Sequence, residues 1–360
     1  MDSKPSDQRF AWVDYAKGIC IVAVVMLYAT TDLAHEMERA GWPDGDARSW
    51  MELWVEFARP FRMPDFFLLS GLFLGRVIDR PWRAYLDTKV IHYLYFFVLW
   101  TVIFFVIRLA LGIGDSSAAG GMRTLLTMLV QPFAMLWFIQ MLAIYFVVTR
   151  LTRRVPVFVM LALAAGLQML QYQSEWSQLH HFGARYVYFY VGYAFAPLFF
   201  SFADRVRSKP RVALICLVLW AAVNGWLVQR GLAASRGISL VLGLAGASAV
   251  IATAALLCKL HFMDGLRYLG QHSIVVYLGF YLPMSIGTSM YAQQRWLLDA
   301  GSAAALFSAA SILLAMLLFW ATRHSAARFL FVRPGWARLR LDQAPRAAIR
   351  TGGIASDHHR

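Results

Sequence analysis

The sequence predicts an all-α, polytopic membrane protein with about ten transmembrane helices. Hydrophobic residues make up 59% of the 360 residues and charged residues only 15%, a balance that water-soluble domains of this length do not normally show. Long apolar runs alternate with short basic clusters, as membrane spans alternate with cytoplasmic loops. The formal charge of +14 is spread over these clusters, so we predict no nucleic-acid partner.

Ten stretches are apolar over about the 20 residues that a helix needs to cross a bilayer. They cover residues 17–34, 61–78, 88–112, 124–149, 155–171, 186–203, 211–229, 237–258, 272–290 and 302–322. Arginine and lysine cluster in the even-numbered connections, whereas the third, fifth, seventh and ninth connections hold at most two basic residues each. The positive-inside rule therefore predicts that both termini are cytoplasmic.

These spans give a simple domain organisation. Residues 1–16 form a cytoplasmic amino terminus, residues 17–322 a single ten-helix membrane domain, and residues 323–360 a basic cytoplasmic tail that we predict to be disordered. The first outer loop, about residues 35–60, is long and acid-rich, and its residues 49–58 are predicted to form an amphipathic helix at the outer surface. The three cysteines lack the spacing of a disulfide framework or a zinc site, and we predict no metal centre.

The first span carries a cation near one end and a phenol near the other. Lys17 and Tyr28 are eleven steps apart, and at about 100° per residue roughly 1100° brings both onto one helix face, about 16 Å apart. Lys17 could be an anchor that reaches the membrane surface, or it could bind the phosphates of an acyl carrier arriving from the cytoplasm. Tyr28 could belong to the aromatic belt of the outer leaflet or to a site.

The second span begins with charged residues at membrane depth. Arg59, Arg62 and Asp65 flank two prolines, and each charge buried there costs about 3 kcal/mol on insertion scales. Arg62 and Asp65 are three residues apart and could pair, which would lower this cost. A structural ion pair and a substrate contact both remain open.

Polar side chains also occur in the fourth span and in the fifth connection. Gln140 follows Trp137 by three residues, and a glutamine inside a membrane domain usually bonds a neighbouring helix. His180 and His181 lie in a predicted outer loop, where they could contact an outer substrate or be solvated.

Several of these segments together resemble the integral-membrane acyltransferase-3 family, which includes fucose O-acetylase-like proteins and the glucan and lipopolysaccharide O-acyltransferases. The resemblance covers most of residues 10–325. It rests on WVDYAKGICIVAVVMLYAT, FRMPDFFLLSGLFL, RAYLDTKVIHYLYFFVLW, LWFIQMLAIYFVVTRL and YLGQHSIVVYL, which occur in this order.

The resemblance implies transfer of an acetyl or succinyl group from cytoplasmic acyl-CoA to a sugar hydroxyl of a glycan or glycolipid, as in polysaccharide O-acetylation. It implies a multi-pass protein of a bacterial inner membrane, in contact with the lipid bilayer, whose donor is acyl-CoA and which has no bound cofactor. The oligomeric state is not indicated. The candidate binding residues are Lys17, Arg59, Arg62, Asp65, Arg83, Lys89, Trp137 and Gln140.

The family's first span has a basic residue followed, after ten others, by a histidine that resembles a catalytic base. Lys17 matches the basic residue, but Tyr28 stands at the histidine position. A phenol, whose reference pKa is about 10, is a poor general base at neutral pH unless a cation assists it. We therefore expect Arg59, Arg62 or another cation to assist Tyr28, or Asp32 or His35 to take the proton.

Two other functions remain open. Loss of the histidine is compatible with an inactive relative that binds glycan or lipid as an accessory protein. Charges inside the membrane would also suit a glycan transporter or flippase, although the sequence shows no internal repeat of the kind that many transporters have.

Overall fold

The structure, a computed structural model, describes residues 11–42, 49–112, 118–170, 177–259, 263–294 and 298–339. Its secondary structure over these ranges is helical, which confirms the predicted all-α class. The helices are α1 Ala11–Arg39, α2 Trp50–Ala58, α3 Arg62–Gly71, α4 Trp82–Ala110, α5 Ala118–Val130, α6 Trp137–Leu151, α7 Val157–Leu170, α8 Ser177–Ala194, α9 Ala196–Ser208, α10 Pro210–Gln229, α11 Ile238–Leu257, α12 Asp264–Gln271, α13 Ser273–Gly279, α14 Tyr281–Gln294 and α15 Ala300–Thr322. A π-helical turn, Asp87–Ile91, interrupts α4.

Among the described residues, six helices are long and apolar enough to cross a membrane: α1, α4, α6 with its preceding 3₁₀ turn, α10, α11 and α15. The count rises to eight if α8 with α9, bent by 75°, and α13 with α14, bent by 43°, are each one span. The predicted count of ten is not confirmed. Only 11% of the residues in the apolar stretch of α10 are buried within the protein. Its exposed side chains are large and apolar, as expected of a surface that faces lipid.

Two of the predicted spans differ from the structure. Helix α3 has only 10 residues, about 15 Å at 1.5 Å per residue, and so is about half the thickness of the hydrocarbon core. The predicted span 124–149 is divided because Pro132, after the end of α5, cannot continue a helix. Ala134 then takes a positive φ of 49° and redirects the chain into α6.

Helix α2 forms where the sequence predicts an amphipathic helix. Ser49 is its N-cap, and the Ser49 hydroxyl accepts a hydrogen bond from the Glu52 amide at 3.4 Å. This contact satisfies one of the amide groups that the first turn of a helix leaves unpaired.

Helix α1 lies against helices α3, α11, α12, α14 and α15. Its crossing with α12 is backbone to backbone, because a Cβ on Gly270 would lie 1.7 Å from the Asp14 carbonyl oxygen and a Cβ on Gly18 would lie 2.2 Å from that of Leu266. Small residues allow this approach between membrane helices. The crossing places Lys17 beside the carboxyl end of α12.

The first part of the predicted disordered tail is folded against α4. The Arg333 guanidinium donates to the Asp87 carboxylate and to the Asp87 carbonyl, both at 2.7 Å, and the Leu339 amide donates to the same carboxylate at 2.8 Å. The prediction of disorder is therefore wrong for residues 323–339, because the partner of Arg333 lies 246 residues away and local composition does not reveal it. Residues 340–360 lie outside the described residues.

The α1–α12 crossing predicts that Gly270→Ala destabilises the protein by about 1–3 kcal/mol, the usual cost of overpacking. A matched change on the same helix, Gly265→Ala, meets no atom within 4 Å and should be neutral or slightly stabilising. Thermal unfolding of both variants in detergent measures the difference. Equal melting temperatures would contradict the close crossing.

The Asp87–Arg333 pair predicts that Asp87→Ala frees the tail, since breaking a buried pair costs about 3–5 kcal/mol. Limited proteolysis should then cut between residues 323 and 339 at a lower protease concentration than in the wild type. Asp79→Ala is the control, because the Asp79 side chain is 83% exposed in its pair with Arg153 and such pairs contribute at most about 1 kcal/mol. The same cleavage pattern in both variants would contradict the role of Asp87.

Candidate functional site

Two lysines from distant parts of the sequence share one cavity of about 270 Å³. Lys17 comes from α1 and Lys89 from the π-helical turn of α4. Polar groups from four helices complete the wall; they are Ser70, His92, Gln271 and Ser273. Among the described lining residues none is a carboxylate, so the cavity, called here the lysine cavity, is suited to an anion.

The neighbouring carboxylate, Asp14, acts electrostatically on Lys17, but its hydrogen-bond and ion-pair partners belong to α12. Its Oδ2 accepts a hydrogen bond from Gln271 at 3.1 Å and lies 3.8 Å from Arg267 Nε. Both partners belong to α12, so these contacts lie at the crossing that also positions Lys17. The two lysines are therefore the charged groups that the lysine cavity presents to a ligand.

Tyr28 lies in a second, much smaller space of about 10 Å³, which corresponds to about one water molecule. The Trp137 indole N–H donates to the Tyr28 hydroxyl oxygen at 3.4 Å. The rings of Phe280 and Tyr281 pack against Tyr28 with centroids 5.6 and 6.4 Å away. We call this space the tyrosine chamber.

The lysine cavity and the tyrosine chamber share a wall of three aromatic side chains, Phe66, Phe138 and Tyr277. Tyr277 is fixed by a hydrogen bond from its hydroxyl to the Met135 carbonyl, which the break before α6 presents. Phe66 and Phe138 pack edge to face at 5.2 Å. The two spaces are thus neighbours with these side chains between them.

Two arginines act on Tyr28. Arg62 and Arg185 both lie close enough to interact electrostatically with its hydroxyl. The Arg185 guanidinium also lies 4.7 Å from the centre of the Trp137 ring. Both cations would attract an anion that forms in the tyrosine chamber, while burial there opposes the formation of any charge.

His181 is stacked on Trp137, with ring centroids 4.3 Å apart and planes inclined by 19°. Its Nδ1 lies 3.0 Å from Arg185 Nη1, and because arginine can only donate, a neutral His181 carries its proton on Nε2. His181 therefore presents an N–H donor beside Trp137. The sequence predicts His181 in an outer loop, but α8 begins at Ser177 and contains His181. The four-residue spacing of His181 and Arg185 is the pattern that would have indicated a shared helix face.

The two alternative proton acceptors occupy different environments. Asp32 lies one turn beyond Tyr28, accepts a hydrogen bond from the Thr288 hydroxyl at 2.6 Å and acts electrostatically on Tyr281. The side chain of His35 is 73% exposed and lies 3.9 Å from the Glu38 carboxylate. Asp32 thus lies near Tyr281, which packs against Tyr28, whereas the side chain of His35 is exposed.

Arg62 and Asp65 do not form the pair that the sequence suggested. The Arg62 guanidinium donates to the Val55 carbonyl at 2.9 Å. Arg62 is the first residue of α3, and Val55 belongs to α2, the helix just before it. Asp65 is 2% exposed, lies within reach of the Cys20 thiol of α1, and has one buried carboxylate oxygen, Oδ1, without a hydrogen-bond partner among the described residues. Arg62 is thus directed by α2, and Asp65 joins α3 to α1.

The remaining predicted residues separate into a helix contact and two exposed cations. Gln140 donates to the Leu129 carbonyl at 3.1 Å and accepts from Gln178 at 3.3 Å, which confirms that it bonds neighbouring helices. Arg59 and Arg83 are exposed, and neither is among the described residues that line the lysine cavity or the tyrosine chamber. Of the candidate binding residues Arg83 and Lys89, the structure therefore places only Lys89 in the lysine cavity with Lys17.

The chain matches the family model described as "Acyltransferase domain" over residues 10–323. It belongs to this acyltransferase-3 family. It is also 23% identical over 250 residues to "Inner membrane protein YcfT" of Escherichia coli (strain K12), a match that covers 61% of this chain and 66%, just under two thirds, of that protein. No solved structure matches. The resemblance stated from the sequence is therefore confirmed at the level of the family.

Proposed function

We propose that the protein is an inner-membrane O-acyltransferase that moves an acetyl or succinyl group from cytoplasmic acyl-CoA to a sugar hydroxyl of a glycan or glycolipid. In this proposal the chain has ten spans and both termini are cytoplasmic. The observation that carries it is the shared aromatic wall between a cationic cavity and the chamber of Tyr28. Acyl-CoA has a charged carrier, which suits the cationic cavity, and an acyl thioester, which suits the neighbouring chamber of Tyr28.

The lysine cavity would hold the phosphate of the donor that lies nearest to the thioester. Lys17 and Lys89 act electrostatically on each other, so a phosphate that binds between them relieves their repulsion. The acyl group would then reach past Phe66, Phe138 and Tyr277. Since the tyrosine chamber has room for about one water, the wall must move when donor and acceptor bind.

The chemical step exchanges one acyl bond for another. The acceptor oxygen attacks the thioester carbonyl carbon, the C–S bond breaks, and the hydroxyl proton finally resides on the released CoA thiol. Negative charge develops on the carbonyl oxygen during attack, and preorganised cations and N–H donors stabilise such charge. Arg62, Arg185 and the Trp137 N–H are positioned for this role in our proposal, with Tyr28 relaying the proton and Asp32 the alternative acceptor.

One observation favours a second candidate function, that of an inactive relative that binds glycan or lipid. Tyr28 stands where the family has its histidine, and the tyrosine chamber is nearly filled by side chains. A phenol without a free path to an acceptor does not support general base catalysis. Replacement of Tyr28 distinguishes the two functions.

For an active enzyme we expect Tyr28→Phe to lower kcat by about 10²-fold or more, the usual effect of a lost acid–base group. Tyr28→His should retain activity, and Tyr291→Phe is a control, because its hydroxyl bonds the remote Leu298 carbonyl. Purified protein is assayed for acyl-CoA hydrolysis and for acyl transfer to glycans, with mass spectrometry of surface glycans from cells with and without the protein. An inert wild type beside an active Tyr28→His variant would establish the inactive relative instead.

The lysine cavity predicts that Lys89→Met raises the KM for acetyl-CoA about tenfold, which corresponds to about 1.4 kcal/mol of lost binding. Arg83→Met removes an equal charge from an exposed position and should leave KM within about twofold, since exposed charges contribute little. Steady-state kinetics of both variants at fixed ionic strength measures the contrast. A larger effect at Arg83 would place the donor outside the lysine cavity.

A further inference from the structure

The segment after α15 forms a concave surface rather than a loose tail. A groove of about 740 Å³ is lined by residues between Ala326 and Arg338. Three arginines line it, Arg328, Arg333 and Arg338, together with the rings of Phe329 and Trp336. We call this surface the arginine groove. Its described lining residues include no carboxylate.

The arginine groove is held in place by α4. The Tyr95 hydroxyl donates to the Phe329 carbonyl at 3.0 Å and the Trp100 indole donates to the Leu330 carbonyl at 3.1 Å. Arg333 uses its guanidinium to bind Asp87. These contacts leave Arg328 and Arg338 exposed, so the two cations are available to a ligand while the backbone that carries them is fixed.

The arginine groove lies beside the lysine cavity. Asp87, the anchor of Arg333, is two residues before Lys89 on the same π-helical turn. His92 lines the lysine cavity and is within electrostatic reach of Lys89, Arg333 and Arg338. Cations therefore continue from the exposed surface at Arg338 to the interior of the lysine cavity.

We propose that the arginine groove binds the nucleotide part of the acyl-CoA donor, with the phosphates that the lysine cavity does not bind on Arg328 and Arg338 and the adenine ring on Trp336. This inference rests on the proposed function and names a second part of its donor site. Guanidinium groups match the geometry of phosphate oxygens, and an exposed aromatic ring is a stacking surface for a base. The Trp336 side chain meets Tyr95 edge to face at 6.1 Å and is 81% exposed, so one ring face is open.

Exposed arginines with aromatic residues also occur where a protein touches an anionic membrane surface. The structure favours the nucleotide for two reasons. The surface is concave and has the volume of a small-molecule site, about 300–1,000 Å³, and its fixed position is set by Asp87 beside the lysine cavity. A membrane contact requires neither feature.

The test compares two donors that carry the same thioester, acetyl-CoA and acetyl-pantetheine, which lacks the nucleotide. For the Arg328→Ala/Arg338→Ala double variant and for Trp336→Ala we expect the KM for acetyl-CoA to rise at least tenfold. The KM for acetyl-pantetheine and both kcat values should stay within twofold of the wild type. Arg154→Ala, which removes an exposed arginine from the connection after α6, is the matched control and should change neither KM.

Three outcomes would overturn the inference: no change in the KM for acetyl-CoA, equal changes for both donors, or changes seen in anionic but absent in neutral phosphatidylcholine nanodiscs, which would indicate a membrane contact. If the double variant does not fold, Trp336→Ala retains the test because its ring is exposed.

A binding measurement separates this inference from the proposed function. Calorimetric titration of CoA into the wild type and the variants in nanodiscs needs no turnover. A wild type that binds CoA but transfers no acyl group, beside variants with at least tenfold weaker binding, would refute the proposed function and support the arginine groove. Turnover by the wild type with unchanged CoA binding in the variants would support the proposed function and refute the arginine groove.

Discussion

The backbone contact between α1 and α12 fixes the position of the other parts of the site. Gly18 and Gly270 bring the two helices so close that a methyl group at either position would overlap a carbonyl oxygen. This crossing sets Lys17 at the lysine cavity, and the length of α1 then sets Tyr28 in the next chamber. Because a helix is stiff over three turns, the distance between the cation and the phenol is not adjustable by side-chain movement alone.

Lys17 and Lys89 are the cations of the lysine cavity, which this crossing helps to form. Burying a cation in a low-dielectric region is unfavourable unless it is paired or serves a ligand. Arg333 and Arg150 both bind protein groups, the first Asp87 and the second the carbonyls of Ile78 and Arg80 at 2.5 Å. Lys17 and Lys89 instead share a cavity without a described carboxylate, which is the physical reason for assigning them to an anionic donor.

In our proposal Tyr28 takes the position of the family's histidine, and this changes what the remaining residues must supply. Arg62, Arg185 and the Trp137 N–H surround the phenol with positive charge and donors. The ring of His181, which stacks on Trp137, adds another N–H donor nearby. In our proposal these groups stabilise the negative charge that develops in the transition state, and this is the larger part of what they contribute to the reaction.

The sequence by itself determined the all-α membrane class and the common helix face of Lys17 and Tyr28, because composition and helical periodicity are local properties. The family came from the resemblance of its motifs to known ones, and the family model confirms it. The sequence also indicated the helix at residues 49–58 and the bonding of Gln140. Only the tertiary structure decided that Lys89 rather than Arg83 joins Lys17, and that residues 323–339 are bound to α4. Both depend on contacts between residues far apart in the chain, such as Asp87 with Arg333, whose free energy exists only after the helices have packed.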